Sequence, residues 1–271
     1  MKCVPFATQL IIADENNLTG QLVSELSLLP NLMWLALWKN NINGTIPSEY
    51  GTMPSLSDLE LQVNNLSGNI PEELYNAVLL ERLSIGQNFE LGGTLSKGIG
   101  NLTKLQGLHL HSTSLSGTIP TEVGLLEELS SVWLSNNPLM SGRIPSEFRS
   151  LLFLGDLDLH SSSFTGSLPS QIGNMGKLCG VGLCGYLDIG NNLLTGSFPE
   201  ELYNALPLTY LNLAGNDFSG SLSQSIGNLT LLEELHVNEN HFTGSLPSQL
   251  GQLGNLSYLN MYENQFSGDL P

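Results

Sequence analysis

The sequence predicts an α/β solenoid: a right-handed superhelix with one short parallel strand per repeat on its concave face and short 3-10, helical or extended segments on its convex face. Three observations predict it. Glycines at 20, 44, 68, 93, 117, 142, 166, 196, 220, 244 and 268 each close a near-copy of the phrase LxxLxLxxNxLxGxIP, at a period of 24 residues with few exceptions. Apolar and polar residues alternate through the first half of each copy, as a half-buried strand requires. Proline occupies the end of the phrase in eight of eleven copies, fixing φ where the chain turns away from the strand. A unit this short cannot bury its apolar face alone and must stack on its neighbours. Residues 1–271 hold about eleven copies, so a single repeat domain is expected, with no length left for a second.

The copy ending at Gly44 justifies each element in turn. Leu35 and Leu37 alternate with Trp34, Ala36 and Trp38, so one face of the strand enters a core and the other meets solvent. Asn40 stands where the chain leaves the strand. Its amide both donates and accepts, and can satisfy backbone groups of the turning loop that burial would leave unpaired. Stacked copies therefore predict a ladder of amides, interrupted by Thr113 and Ser162 and shifted in the first copy, where Glu15 stands beside Asn16. Gly44 permits a backbone conformation denied to other residues, and Pro47 leads into a helical turn. The remaining stretch, SEYGTMPSL, is too short for more than a turn or two of helix. Eleven strands at a spacing of about 4.8 Å give a concave sheet on the order of 50 Å long, ample for a protein partner.

Three copies are irregular. One extra residue falls just after the Asn position around Phe89 and Glu90, and another around Pro138, where loops should bulge at the edge without breaking the stack. Between Gly166 and Gly196 the spacing is 30, and the excess lies in LCGVGLCGY. It reads as a bulge between Leu178 and Leu187 that Cys179 and Cys184 could pin, or as an error in the gene model. Tyr186 faces the concave side in only one of the alignments this leaves open. Gly180, Gly182 and Gly185 spell GxGxxG there, but a dinucleotide site needs a strand before and a helix after, whereas the strand Leu187 to Ile189 comes next.

Composition excludes several classes of function. Hydrophobic residues make up 41% and charged residues only 12%, yet no run of 18 apolar residues exists that would span a membrane. The net charge of −17, from 25 acids and 8 bases, would repel a phosphate backbone, which excludes nucleic acid as a partner. Part of the acid is structural: Glu25, Glu49, Glu72, Glu73, Glu122, Glu147, Glu200 and Glu201 follow the phrase directly, where the first turn of a helix favours a carboxylate. Ten others, Asp14, Glu15, Asp58, Glu60, Asp156, Asp158, Asp188, Glu234, Glu239 and Glu263, fall elsewhere in the register. Three cysteines, Cys3, Cys179 and Cys184, do not make a disulfide framework and leave the redox compartment open. Six N-x-S/T sequons, at Asn17, Asn43, Asn65, Asn101, Asn228 and Asn255, are candidate glycosylation sites, although the repeat phrase itself generates such triplets. No signal peptide is assigned to MKCVPFATQLIIA, because Thr8, Ile11 and Ala13 already occupy strand positions of the first copy. No VAIK, HRD, DFG or nucleophile-elbow signature occurs, so neither an enzyme activity nor a cofactor is assigned.

The segments INGTIP, LSGNIP, LSGTIP, MSGRIP, FTGSLP and LTGSFP resemble the plant-specific class of leucine-rich repeats, and the resemblance covers essentially the whole chain. Members of that class include ectodomains of receptor-like kinases, receptor-like proteins without kinases, and secreted inhibitors of polygalacturonase. The resemblance implies a non-enzymatic module that recognises a protein or peptide, with a co-receptor as a further partner, at the cell surface or outside the cell. The alternative it leaves is a secreted enzyme inhibitor or wall-associated adhesion protein; an intracellular scaffold comes third. Two departures stand out. Only Cys3 precedes the first copy, where the class has a cysteine-paired cap, and the chain stops at Asp269, Leu270 and Pro271, halfway through a copy. A fragment or truncated gene model is therefore expected, with any membrane tether or kinase in the missing C-terminal part.

Aligning the copies on their Asn places the solvent-facing strand positions in rows across the concave face. Trp34, Trp38, Asp58, Glu60, His109, His111, Trp133, Asp156, Asp158, His160, Asp188, Tyr210, His236 and Tyr258 fall in these rows and are the candidate ligand-binding residues, with Tyr262 beyond them. Aromatic and charged residues on an exposed face mark binding surfaces, although aromatics also suit strands in their own right. The middle of the sheet is the expected site, because His109, Trp133, Asp158 and Asp188 follow one another in one row, with His111 and His160 in the next and Asp156 adjacent. His109, His111, Asp158 and His160 could approach a metal, but their spacing matches no recognised motif and no metal is assigned. A patch that attracts a basic peptide, and whose charge changes near pH 6 through its histidines, is the expectation carried forward.

Overall fold

The computed structural model describes residues 9–174, 185–204 and 207–270. Cys3, Cys179, Cys184 and the surplus residues around Gly180 lie outside the described residues. Among those described, a three-residue strand from every copy, beginning with Leu10–Ile12 and Trp34–Ala36 and ending with Tyr258–Asn260, joins an eleven-stranded parallel sheet in sequence order. The central residue of each strand is aliphatic, leucine in all but Ile11 and Val132, and points inward; Leu35, Leu59, Leu83, Leu108, Val132, Leu157 and Leu187 are all fully buried. Its two neighbours face the concave surface, as the alternation requires.

A second strand per copy goes beyond the sequence expectation. The LxG segments, from Thr19–Gln21 and Asn41–Gly44 to Gln265–Phe266, pair into another eleven-stranded parallel sheet beside the first. These strands also obey a period of two: Ile42, Leu66, Leu115, Met140, Phe164 and Phe218 are buried while the residues on either side face outward. Alternation over so few residues reads as a turn, since the glycine that follows has φ between 76° and 92° in every copy. At Gly142 (φ 83°) an added Cβ would also stand 2.7 Å from Thr118 Cγ2 of the preceding copy.

The convex side is made of five-residue 3-10 segments such as Ser48–Thr52, Thr121–Leu125 and Ser146–Ser150, and no α-helix occurs among the described residues. Pro47, Pro71, Pro120, Pro145 and Pro247 cap their N-termini, and Glu25, Glu49, Glu72, Glu122 and Glu147 lie in first turns, which accounts for that part of the acidity.

The amide ladder forms as expected. Asn64 Nδ2 donates to Leu61 O (3.1 Å) in its own copy and to Leu37 O (2.9 Å) in the copy before, while its Oδ1 accepts from Ile42 N–H at 2.9 Å. Asn40, Asn88, Asn137, Asn192, Asn216 and Asn240 repeat the pattern with small variations. The two interruptions have a structural cause. In a regular copy the N–H two residues after the Asn needs the next copy's amide. Where a residue is inserted, the chain turns back on itself instead: Leu91 N–H donates to Asn88 O (3.0 Å) and Met140 N–H to Asn137 O (2.9 Å). The copies that follow these insertions are the ones carrying Thr113 and Ser162, because the N–H their amide would have served is already bonded. Thr113 Oγ1 still donates to Asn137 Oδ1 at 2.7 Å, whereas Ser162 Oγ is buried without a partner.

The residue before each ladder position is left-handed: Glu15, Lys39, Val63, Gln87, Ser112, Asn136, Ser161, Asn191, Glu239 and Glu263 have φ of 51–59°, and Gly215 has 63°. L-residues other than Gly and Asn resist this conformation. The flanking hydrogen bonds impose it, as at Lys39, whose N–H donates to Gln62 O at 2.9 Å.

Candidate functional site on the concave face

Strand register places the middle row as the sequence arranged it. Ser84, His109, Trp133, Asp158, Asp188 and Asn212 are successive partners across six parallel strands. Gly107, Ser131, Asp156, Tyr186 and Tyr210 make the adjacent row. Most of these side chains are half-buried, because lateral neighbours in a parallel sheet lie against one another.

At the centre the indole of Trp133 is fixed from three sides. The His109 ring stacks on it at 4.0 Å between centroids and 19° between planes, His111 meets its edge at 5.7 Å, and its Nε1–H donates to Asp156 Oδ2 at 3.1 Å. His109 has both ring nitrogens engaged, Nδ1 with Ser84 Oγ (2.9 Å) and Nε2 with Ser131 Oγ (2.8 Å). Burial, with smaller contributions from His111 and Arg82, pushes its pKa down to about 4. Burial also lowers His111 and raises Asp156.

Toward the next copies Asp158 Oδ2 accepts from Ser135 Oγ (2.8 Å), and Asp158 Oδ1 lies 2.6 Å from His160 Nδ1. That hydrogen bond raises the His160 pKa against the effect of its burial. Asp188, only 4% exposed, holds Gly190 N–H on Oδ1 (2.9 Å) and the hydroxyls of Tyr186 (3.3 Å) and Tyr210 (3.5 Å) on Oδ2. Desolvation raises its pKa. The two tyrosine rings stack in parallel at 4.5 Å, and burial together with the Asp188 charge pushes the Tyr210 hydroxyl up to about 12. His111, Trp133, Asp156, Asp158 and Tyr186 enclose an open hollow of about 380 Å³.

The histidines do not titrate together, which corrects the expectation of one charge change near pH 6. A folded-state pKa below the unfolded value makes His109 contribute stability above about pH 6.5 that is lost as pH falls towards 4. His160, shifted upward, contributes stability below about pH 6.5 that is lost as pH rises through its folded pKa. His109 is likewise removed from the metal-approaching set, since both of its nitrogens are bonded.

The other candidates lie apart from this centre. Arg82 sits 3.5 Å from Asp58 and 3.2 Å from Glu60 and balances both acids, while Trp34 and Trp38 stand half-buried on the N-terminal side of that pair. His236, 3.2 Å from Glu234, lies between the rings of Tyr210 (5.4 Å) and Tyr258 (4.9 Å) and extends the aromatic row. Tyr186 was missed because the surplus residues before it left its register open, and Arg82 because a lone base among acids carried no signal. Ser84, Ser131 and Ser135 were legible only as small residues in the aligned rows. The six sequon asparagines, Asn17, Asn43, Asn65, Asn101, Asn228 and Asn255, are all exposed. No helix among the described residues is long and apolar enough to cross a membrane.

Repeat, fold and ladder together define a leucine-rich-repeat solenoid. A family model described as Leucine Rich Repeat matches residues 128–151, 207–229 and 231–253. No curated protein sequence matches the chain. Among solved structures it is similar to the Arabidopsis receptor kinase HAESA in complex with the peptide hormone IDA and the co-receptor SERK1, at 37% identity and a TM-score of 0.90, over 97% of this chain and 43% of that one. It is similar also to the plant peptide hormone receptor RGFR1 in complex with RGF2 (31% identity, TM-score 0.82, 97% of this chain and 45% of that one). A plant ice-binding protein shares the fold at 27% identity and a TM-score of 0.68, over 96% of this chain and 74% of that one. The chain spans less than half the length of the two receptor chains.

Proposed function

We propose that this chain is a non-enzymatic recognition module that binds a basic peptide along its concave face, as part or all of the ectodomain of a cell-surface receptor-like protein. One observation carries the reading: the hollow beside Trp133 joins a rigid indole to Asp156 and Asp158, and among the described residues only His160 forms an ion pair with either acid. An Arg or Lys side chain entering there gains carboxylates and aromatic faces together. The peptide-bound states of HAESA and RGFR1 support the ligand class, their likeness over 97% of the chain supports an extracellular location and residues 1–271 acting as one repeat domain, and the exposure of the six sequon asparagines leaves them accessible to glycan. The fold by itself does not select this function, since an ice-binding protein shares it.

The experiment is selection of a random-sequence peptide library on the immobilised chain, followed by solution affinities of the selected peptides. The expected result is enrichment in Arg and Lys, with affinity reduced by about tenfold or more in Asp156→Asn. Selected peptides without basic residues, or unchanged binding in Asp156→Asn, would refute the reading.

A further inference from the structure

We infer that Asp158, His160 and Asp188 form a binding site for a divalent first-row transition ion, with Zn²⁺ as the practical probe. One ligand atom from each of these residues lies within 4.8 Å of the others. His160 Nδ1 is 2.6 Å from Asp158 Oδ1 and 3.8 Å from Asp188 Oδ2. Adjacent donors on an ion with bonds of about 2.1 Å stand about 3.0 Å apart in octahedral and about 3.4 Å in tetrahedral geometry. The two observed distances bracket that range, so side-chain shifts of a few tenths of an ångström bring the donors onto one ion.

The surroundings suit such an ion. Ser135 Oγ holds Asp158 by Oδ2 and leaves Oδ1 to the imidazole, while Gly190 N–H holds Asp188 by Oδ1 and its Oδ2 faces both the imidazole and the hydroxyls of Tyr186 (3.3 Å) and Tyr210 (3.5 Å), which fix its direction. His160 Nε2 lies 3.1 Å from the Asn136 side-chain amide. With Nδ1 given to a metal, Nε2 carries the proton, and the Asn136 amide, turned over, presents its oxygen to accept it. No Lys or Arg among the described residues pairs with Asp158 or Asp188, so two closely spaced carboxylates, one of them buried, are balanced only by an imidazole. One imidazole with two carboxylates suits Zn²⁺, Mn²⁺ or Fe²⁺ better than Ca²⁺, which takes oxygen ligands alone. Asp158 also lines the hollow beside Trp133, so the remaining coordination positions can take water or an oxygen donor from a bound molecule.

The inference stands without the peptide reading and is tested without a peptide. The full chain, stripped with a chelator and then freed of it, is titrated calorimetrically with Zn²⁺ alone. One equivalent is expected to bind with a Kd of about 10 µM or tighter, and both His160→Gln and Asp158→Asn should weaken it by about tenfold or more while circular dichroism stays unchanged. His109→Gln and the Cys179→Ser/Cys184→Ser double variant should bind as the parent does. The proposal fails if no stoichiometric binding occurs, if both ligand variants bind as tightly as the parent, or if the double cysteine variant abolishes binding. Peptide affinity in excess chelator separates the two readings, because it tests the groove without the ion.

Discussion

The concave sheet and the sheet beside it take one strand each from the same eleven copies, yet they use their outward residues in opposite ways. On the neighbouring sheet these residues are mostly small and hydroxylic, and they bond backbone: Ser67, Ser116 and Thr243 donate to Gly44 O (3.4 Å), Gly93 O (2.9 Å) and Gly220 O (3.3 Å) of the preceding copy. On the concave sheet the outward residues bond one another, as in His109 with Ser84 and Ser131, or Asp158 with Ser135 and His160. A side chain tied to an invariant carbonyl has little freedom to vary. One tied to another side chain can change with its partner, and there the large aromatic and charged groups collect. The common frame of ladder and core makes such variation affordable in stability.

The comparison breaks first if that frame is not shared equally. Asn64→Ala should lower unfolding free energy by about 2 kcal/mol in a denaturant titration, because it leaves the Ile42 N–H buried without a partner and takes one of two amide donors from each of Leu37 O and Leu61 O. Ser162→Ala, at a ladder position with no hydrogen bond to lose, should stay within about 0.5 kcal/mol of the parent. Similar losses at the two sites would show that the insertions did not relieve the ladder.

Next in size is the acid response of the concave side. As pH falls from about 6.5 towards 4 the parent should lose stability through His109, which must take up a proton against its burial. His109→Gln should flatten this limb by up to about 2 kcal/mol, allowing for partial exposure of the ring, as read from thermal midpoints at successive pH values. An identical pH profile would mean that the Trp133 stack does not hold the imidazole neutral.

A smaller effect sits between the sheets. Val63, β-branched and left-handed at φ 59°, should stabilise the chain by about 0.5–1 kcal/mol when replaced by Asn. The smallest change is expected from Ser116→Ala, which removes one partly exposed hydrogen bond at a cost of about 0.5 kcal/mol.

Much of this contrast was legible in the sequence. Period-2 alternation around Leu35 and Leu59 marked the concave strands, and counting from the Asn placed His109, Trp133, Asp158 and Asp188 in one row because parallel register carries each copy onto the next. The other sheet was not legible, since a single buried residue before a glycine, Ile42 before Gly44, carries the same signal as a turn. The left-handed row escaped because residues as unlike as Lys39, Val63 and Glu239 occupy it; the backbone bonds around them, not their own preferences, set the conformation. Thr113 and Ser162 were visible as exceptions, and the insertions at Phe89 and Pro138 were visible too. Linking them required knowing which N–H each amide serves. Histidine charge was misjudged for a similar reason, because burial under Trp133 and a hydrogen bond to Asp158 shift His109 and His160 in opposite directions.

The central claim, that recognition belongs to the concave side and centres on Trp133, is tested most directly by comparing one variant from each sheet against a selected basic peptide in calorimetry. Trp133→Ala should weaken binding by about 30-fold, the scale of a buried aromatic anchor, while Ser116→Ala leaves it unchanged. Full affinity in a folded Trp133→Ala protein, or a comparable loss in Ser116→Ala, would contradict the account.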